Sequence, residues 1–177
     1  MKIILSNAPV TVTHAAARLS LPLGLAYIGS ALMHEGHIVS AVDLNVSGLN
    51  LRRIAGIVSY ERPDVVGISA MTETYENGLE VARKIKEIDP SIVTVMGGAH
   101  PTILPREVLA EEAADYVVVG DGERTIVELV AALGGDGPGL KDIAGLGYQS
   151  PEPRVNHRPP PPHPAHPRVP ARPLPPS

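Results

Sequence analysis

Residues 63–98 read PDVVGISAMTETYENGLEVARKIKEIDPSIVTVMGG, and this stretch decides the fold. Val65–Ser69 is a short apolar run of strand length, entered through the turn Arg62-Pro63-Asp64. Glu73–Ile88 then repeats apolar residues at helical spacing, with Leu79, Val81, Ala82, Ile85 and Ile88 on one face, and Asp89-Pro90 closes it. Ile92–Met96 is a second apolar run. Two such runs joined by an amphipathic helix make a βαβ unit, whose crossover is right-handed. The runs are apolar throughout instead of alternating, so both faces of the sheet are expected to be covered.

The same alternation extends in both directions. Upstream, Lys2–Ser6 reads as a strand, Leu23–Glu35 as a helix that stops at Gly36, Ile38–Val42 as a strand and Leu51–Tyr60 as a helix. Downstream, Pro105–Glu112 reads as a helix, Tyr116–Val119 as a strand and Arg124–Leu133 as a helix ending at Gly134-Gly135. Five βα units predict a doubly wound, flavodoxin-like (Rossmann-like) α/β fold. Its five-stranded parallel sheet carries helices on both faces, with the strand order 2-1-3-4-5. Gly145–Gln149 is expected to add a short edge strand. Beyond it the composition changes: residues 151–177 hold twelve of the nineteen prolines. Proline donates no backbone hydrogen bond, so 150–177 is expected to be an extended, polyproline-like or disordered tail, and 1–149 the folded domain.

Composition narrows the function. The chain has 177 residues, 44% of them hydrophobic, and neither Phe nor Trp, so the core is aliphatic. A net charge of -4 argues against nucleic acid as a main partner. No apolar run reaches the ~18 residues of a membrane span. The start, Met1-Lys2-Ile3-Ile4-Leu5, reads as a strand and not as a signal peptide, and the expected location is the cytoplasm. With no cysteine in the chain, disulfides, thiolate zinc and cysteine-ligated iron–sulfur clusters are excluded within it.

In a doubly wound sheet, ligands bind outside the carboxyl ends of the strands, beside the switch in strand order. The informative residues are therefore those just after each strand. Ser69, Met71 and Thr72 follow the third. Thr72 either meets a ligand or caps the next helix, and Ser69, farther from that helix, is the better ligand candidate. Gly97-Gly98 follow the fourth. A tandem pair there fits a ligand lying flat against the backbone, and Gly98 is expected to be the position where a side chain blocks the site without disturbing the fold. His100 borders the same loop, either as a ligand contact or as an ordinary loop histidine. Pro101 stiffens it, and Thr102 is placed to cap the next helix. Gly120, Gly122 and Glu123 open the last helix, where a carboxylate also suits the helix dipole. No Gly-x-Gly-x-x-Gly, Walker A or Gly-x-Ser-x-Gly signature is present. No residue is assigned a catalytic role and none is assigned as a metal ligand. The tail histidines His157, His163 and His166 have no defined metal geometry.

Four segments, in order, carry a resemblance: LPLGLAYIGSALMHEGHIVSAVDLN (21–45), PDVVGISAMT (63–72), MGGAHPT (96–102) and ADYVVVGDGERTIVEL (114–129). Together they resemble the N-terminal cobalamin-binding domain of class B radical SAM enzymes, the methyltransferases and anaerobic cyclases. The resemblance covers roughly residues 1–150. It implies a domain that holds cobalamin, and with it cobalt, by the nucleotide tail. Ser69 and Thr72, with Met71 between them, match the hydroxyl-bearing segment beside the dimethylbenzimidazole. Gly97 and Gly98 match the glycines that make room for it. His100, Pro101 and Thr102 match the following loop, and Gly120, Gly122 and Glu123 match a Gly-Glu-Gly-Glu turn in which Asp121 replaces a glutamate.

The Asp-x-His-x-x-Gly motif of methionine-synthase-type domains is absent. His14 lies in the corresponding loop without its partners. The resemblance thus implies that no protein histidine ligates cobalt and that the loop Pro9–Pro22 faces the lower side of the corrin. The radical SAM barrel and its cluster cysteines are missing as well, so no 4Fe-4S cluster belongs to this chain. The segment PRVPARPLPP (167–176) is similar to the linker that precedes that barrel. The chain therefore reads as a cofactor module cut off before a radical SAM catalytic domain, which would act in cis or in trans. Two other readings stay open: a non-enzymatic cobalamin binder or sensor with a proline-rich docking tail, and a domain that has lost its ligand.

Overall fold

The computed structural model describes residues 1–10, 23–44 and 51–157. His14, most of the loop Pro9–Pro22 and the proline-rich stretch from 158 onward lie outside the described residues. The elements run β1 (Lys2–Asn7), α1 (Leu23–His34), β2 (Ile38–Val42), α2 (Leu51–Glu61), β3 (Val65–Ser69), a 3-10 turn (Thr72–Thr74) and α3 (Tyr75–Ile88). They continue with β4 (Val93–Gly97), α4 (Ala99–Ile103), α5 (Pro105–Leu109), β5 (Tyr116–Val118), α6 (Glu123–Leu133), a second 3-10 turn, β6 (Leu146–Ser150) and β7 (Glu152–Val155).

The sheet order is β2-β1-β3-β4-β5-β6-β7. The first five strands are parallel and follow the doubly wound order expected from the sequence. The sheet is nevertheless mixed and seven-stranded, not five-stranded and parallel. β6 pairs antiparallel with β5, and β7 antiparallel with β6. β7 falls in the proline-rich region expected to be extended, so the sheet runs past residue 149. The prolines permit this because β7 is an edge strand, where a missing N–H costs nothing if it faces solvent. Its end is tied down by Asn156, whose side-chain amide donates to the carbonyls of Leu140 (2.6 Å) and Ile143 (2.7 Å).

Two aliphatic cores lie on opposite faces of the sheet. One joins Ile4, Val66, Ile68 and Met96 to Val81, Ala82 and Ile85 of α3 and to Ile54 and Val58 of α2. The other joins Ile3, Leu5, Val95 and Val118 to Leu25 and Leu32 of α1 and Ile126, Leu129 and Val130 of α6. Val65, Val66 and Ile68 are all 2% exposed or less, as a strand covered on both faces requires. β2 is the exception: as an edge strand it leaves Ile38 66% exposed. At the amino ends of the strands, the Asp115 carboxylate gathers the Thr94 N–H (2.7 Å), the Thr94 hydroxyl (3.0 Å) and the Lys86 ammonium (2.6 Å). That cluster ties α3 to β4 and to the start of β5.

Within α2, Gly56 is exposed, and a Cβ there meets nothing within 4 Å. Gly56→Ala is expected to stabilise the fold by ~0.5–1 kcal/mol through helix propensity alone. Chemical denaturation of the two proteins side by side checks this.

Candidate cofactor-binding site

The register of the parallel strands builds a slot at their carboxyl ends. Leu5, Gly67 and Val95 stand in one row across β1, β3 and β4, and Asn7, Ser69 and Gly97 stand in the next. Side chains two apart on a strand share a face, so Gly67 and Ser69 of β3, and Val95 and Gly97 of β4, line the same side. That side is covered by α1 and α6. Between the sheet and these helices lies a cleft of ≈ 180 Å³. Its walls are Leu25 and Ile28 of α1, Val118 of β5 and Ile126 of α6, and its lip is the turn Gly120–Glu123.

Missing side chains make the space. Gly67 sits between Leu5 and Val95, where a Cβ would come within 2.9 Å of Leu5 Cδ2. Gly97 is different: a Cβ there would meet only Val118, at 3.8–3.9 Å, so its side-chain direction is open. Gly98 does not simply make room. Its φ is +97°, and a Cβ would lie 2.6 Å from Ala70 O, 2.9 Å from Ala70 N and 2.9 Å from Ser69 Oγ. The backbone of the β4 loop presses on the β3 loop here, with Ala70 N–H donating to Gly97 O at 2.8 Å and His100 N–H donating to Ala70 O at 3.2 Å. Gly98 is therefore required by the fold itself, against the expectation that a side chain there would spare it.

Of the residues singled out in the sequence, Ser69, Gly97, Gly98, Gly120, Gly122 and Glu123 line the slot. Ser69 Oγ makes no hydrogen bond among the described residues. Met71, Thr72, His100 and Thr102 do not line it. Met71 is 59% exposed at the end of the β3 loop. Thr72 does not cap α3. The Thr74 hydroxyl holds that turn, accepting from Met71 N–H at 3.1 Å, while Thr72 Oγ1 lies 3.4 Å from His100 Nδ1.

His100 does not border the slot as expected. It is 7% exposed and stacks on Tyr75, with ring centroids 3.9 Å apart, on the α3 side of the sheet. Burial, with the carboxylates of Glu111, Glu76 and Glu107 adding to it, raises the Tyr75 phenol above its ordinary range. His100 therefore packs on a neutral ring. Thr102 lies inside the short helix α4, which the sequence reading missed, and its hydroxyl accepts the Gly120 N–H at 3.0 Å. It fixes the lip of the slot from behind. Among the described residues no group of three His, Cys, Asp or Glu side chains is placed to hold a metal ion, and no helix is long and apolar enough to cross a membrane.

The sequence reading missed Leu5, Gly67 and Val95 on the floor and Leu25, Ile28 and Ile126 on the helices. The strand residues had a signal: counting back by two from Ser69 and Gly97 gives Gly67 and Val95. The helix residues had only their apolar periodicity, which core residues share.

Comparison with known proteins shows the family. The B12 binding domain family matches residues 9–130. An uncharacterized methyltransferase of Pyrococcus horikoshii is 37% identical over 163 residues, covering 90% of this chain and 35% of the relative. The anaerobic magnesium-protoporphyrin IX monomethyl ester cyclase of Rubrivivax gelatinosus is 31% identical over 139 residues, covering 76% of this chain and 25% of the relative.

Among solved structures, the cobalamin-dependent S-adenosylmethionine radical enzyme OxsB, with aqua-cobalamin and S-adenosylmethionine bound, superposes with a TM-score of 0.75 at 20% identity. The match covers 88% of this chain and 22% of that one. The radical S-adenosylmethionine methyltransferase TsrM from Kitasatospora setae, with cobalamin and a 4Fe-4S cluster bound, gives 0.70 at 21% identity, covering 88% and 29%. At these identities the two structures share the fold. The chain spans about a third or less of the length of these relatives. With the family match running from the end of β1 into α6, across most of the strands and both helices that enclose the slot, the chain belongs to the B12 binding domain family.

Proposed function

We propose that this domain holds cobalamin by inserting its nucleotide tail into the slot, with no protein histidine on cobalt, as the cofactor module of a radical SAM methyltransferase-type enzyme. The observation that carries the reading is the open space over Gly97. It lies between a glycine-lined sheet edge and the apolar faces of α1 and α6, in the position where a doubly wound sheet binds ligands. The donor set fits a flat heterocycle: aliphatic walls, an unengaged Ser69 hydroxyl, and the carboxylates of Asp121 and Glu123 on the lip.

Among the described residues, three histidines support the second half of the reading. His34 and His37 sit at the far end of α1, and the His37 ring is 3.3 Å from the Met1 amine. His100 is buried behind Tyr75, away from the slot. When bound, cobalamin supplies a cobalt centre capable of alkyl-transfer chemistry. This chain's part is to bind the tail, exclude water from it and keep the sheet edge rigid. Residues up to about His157 form the cofactor unit in this reading, and the proline-rich remainder is a linker to the catalytic domain.

Mixing the full chain with hydroxocobalamin, desalting it and recording the visible spectrum tests the proposal. A retained corrin band is expected. After reduction to Co(II), the electron paramagnetic resonance spectrum is expected to lack nitrogen hyperfine splitting on the axial feature. A colourless protein fraction overturns cobalamin binding, and a nitrogen-split signal overturns the ligation mode.

A further inference from the structure

We infer that the slot selects corrinoids by the chemistry of their lower base, taking an alkylated benzimidazole and rejecting a purine. The inference rests on the reading that the nucleotide tail enters the slot, and it adds what the slot reads there.

The deep end of the slot offers almost nothing to a polar ring. Leu5, Leu25, Val95, Val118 and Ile126 line it, all of them less than a tenth exposed. Four groups of the glycine backbone that forms the remaining wall are already engaged. Gly97 O accepts from Ala70 N–H at 2.8 Å, Gly98 O from Thr102 N–H at 3.1 Å and Gly122 O from Ile126 N–H at 2.9 Å. The Gly120 N–H is taken by the Thr102 hydroxyl at 3.0 Å. What remains along the strands is the Ser69 hydroxyl. The two carboxylates, Asp121 and Glu123, belong to the turn at the lip, where Asp121 is exposed and Glu123 is half-buried.

The two bases differ in what they need. A dimethylbenzimidazole attached through one nitrogen presents a single further ring nitrogen, and its methyl groups gain from apolar contact. The lone Ser69 hydroxyl matches that single acceptor. An adenine presents an exocyclic amine and several ring nitrogens, and among these aliphatic side chains most of them go unpaired. A buried hydrogen-bonding group left without a partner costs ~10-fold or more in affinity. The slot is thus selective through what it withholds.

The test is an equilibrium titration of the full chain, followed by absorbance, with three probes: hydroxocobalamin, the corresponding corrinoid with adenine as lower base, and cobinamide, which has no nucleotide. Hydroxocobalamin is expected to bind ~10-fold or more tighter than the adenine form, and cobinamide more weakly than hydroxocobalamin. Equal binding of the two complete corrinoids, with cobinamide weaker, overturns the selectivity and leaves tail insertion standing. Cobinamide binding as tightly as hydroxocobalamin overturns tail insertion, and the selectivity with it. As a second check, Val95→Thr places a hydroxyl on the floor at nearly constant shape. The preference is expected to narrow several-fold, and an unchanged ratio shows that the floor does not read the base.

Discussion

Gly97→Leu is expected to abolish cobalamin retention while the apo-protein melts at or above the native temperature. Gly97 ends β4 with its missing side chain directed into the slot, and a Cβ there makes only ordinary contacts with Val118. The backbone therefore tolerates the substitution, and a strand position gains when glycine is replaced. The leucine carbons then occupy the space assigned to the heterocycle. Overpacking by even a few carbons costs ~1–3 kcal/mol, and a ring cannot share the space at all. The expected loss of affinity is ~100-fold or more. Titration with hydroxocobalamin and a thermal melt of the apo-protein read the two halves separately. Native-like affinity in a folded Gly97→Leu protein would falsify the placement of the tail.

Gly98→Ala is expected to do the reverse, damaging the fold before it touches the ligand. Its φ of +97° disfavours any side chain, and the added Cβ would sit 2.6 Å from a backbone oxygen that has little room to retreat. Ala70 is itself held on both sides, through Gly97 O and the His100 N–H. The conformational cost alone is ~1–2 kcal/mol, and displacing the loop brings the total to ~3 kcal/mol or more. For a domain of this size that lowers the melting temperature by ~6–12 °C. A melt without ligand measures it, and an unchanged melting temperature would show that the loop adjusts freely. The two neighbouring glycines thus separate: one leaves open space in the slot, which the proposed binding mode fills with the ligand, and the other lets two loops pack.

That separation marks the boundary of what was legible. The βα alternation was readable because each element announces itself locally. Glu73–Ile88 carries its apolar face at helical spacing, and Val65–Ser69 is apolar without alternation because both of its faces are covered. Of the two antiparallel strands, the first was expected at Gly145–Gln149 but as the sheet edge, and the second was not expected. Leu146–Ser150 is a mixed polar and apolar run, and Glu152–Val155 is flanked and interrupted by prolines that suit an edge strand as well as a tail. Helix α4 was missed because Ala99–Ile103 is a single turn containing a proline, too short to show a period.

The sequence by itself determined that glycines and hydroxyls gather at the carboxyl ends of parallel strands, the place where folds of this class bind ligands. It also determined that the core is largely aliphatic, since the chain holds neither phenylalanine nor tryptophan, and Tyr148 is the buried tyrosine that joins it. Only the tertiary structure decided which of those residues enter the slot. Ser69 and Thr72 are three positions apart, and Gly98 and His100 two, yet one of each pair lines the cleft under α1 and α6 while the other does not, Thr72 lying against His100 and His100 against Tyr75 of α3. The reason is geometric. Successive residues of a strand point to opposite faces, and the turn that follows breaks the count. The face a loop side chain ends on is then set by how neighbouring backbones pack, as Gly98 packs on Ala70, and no local pattern records that contact.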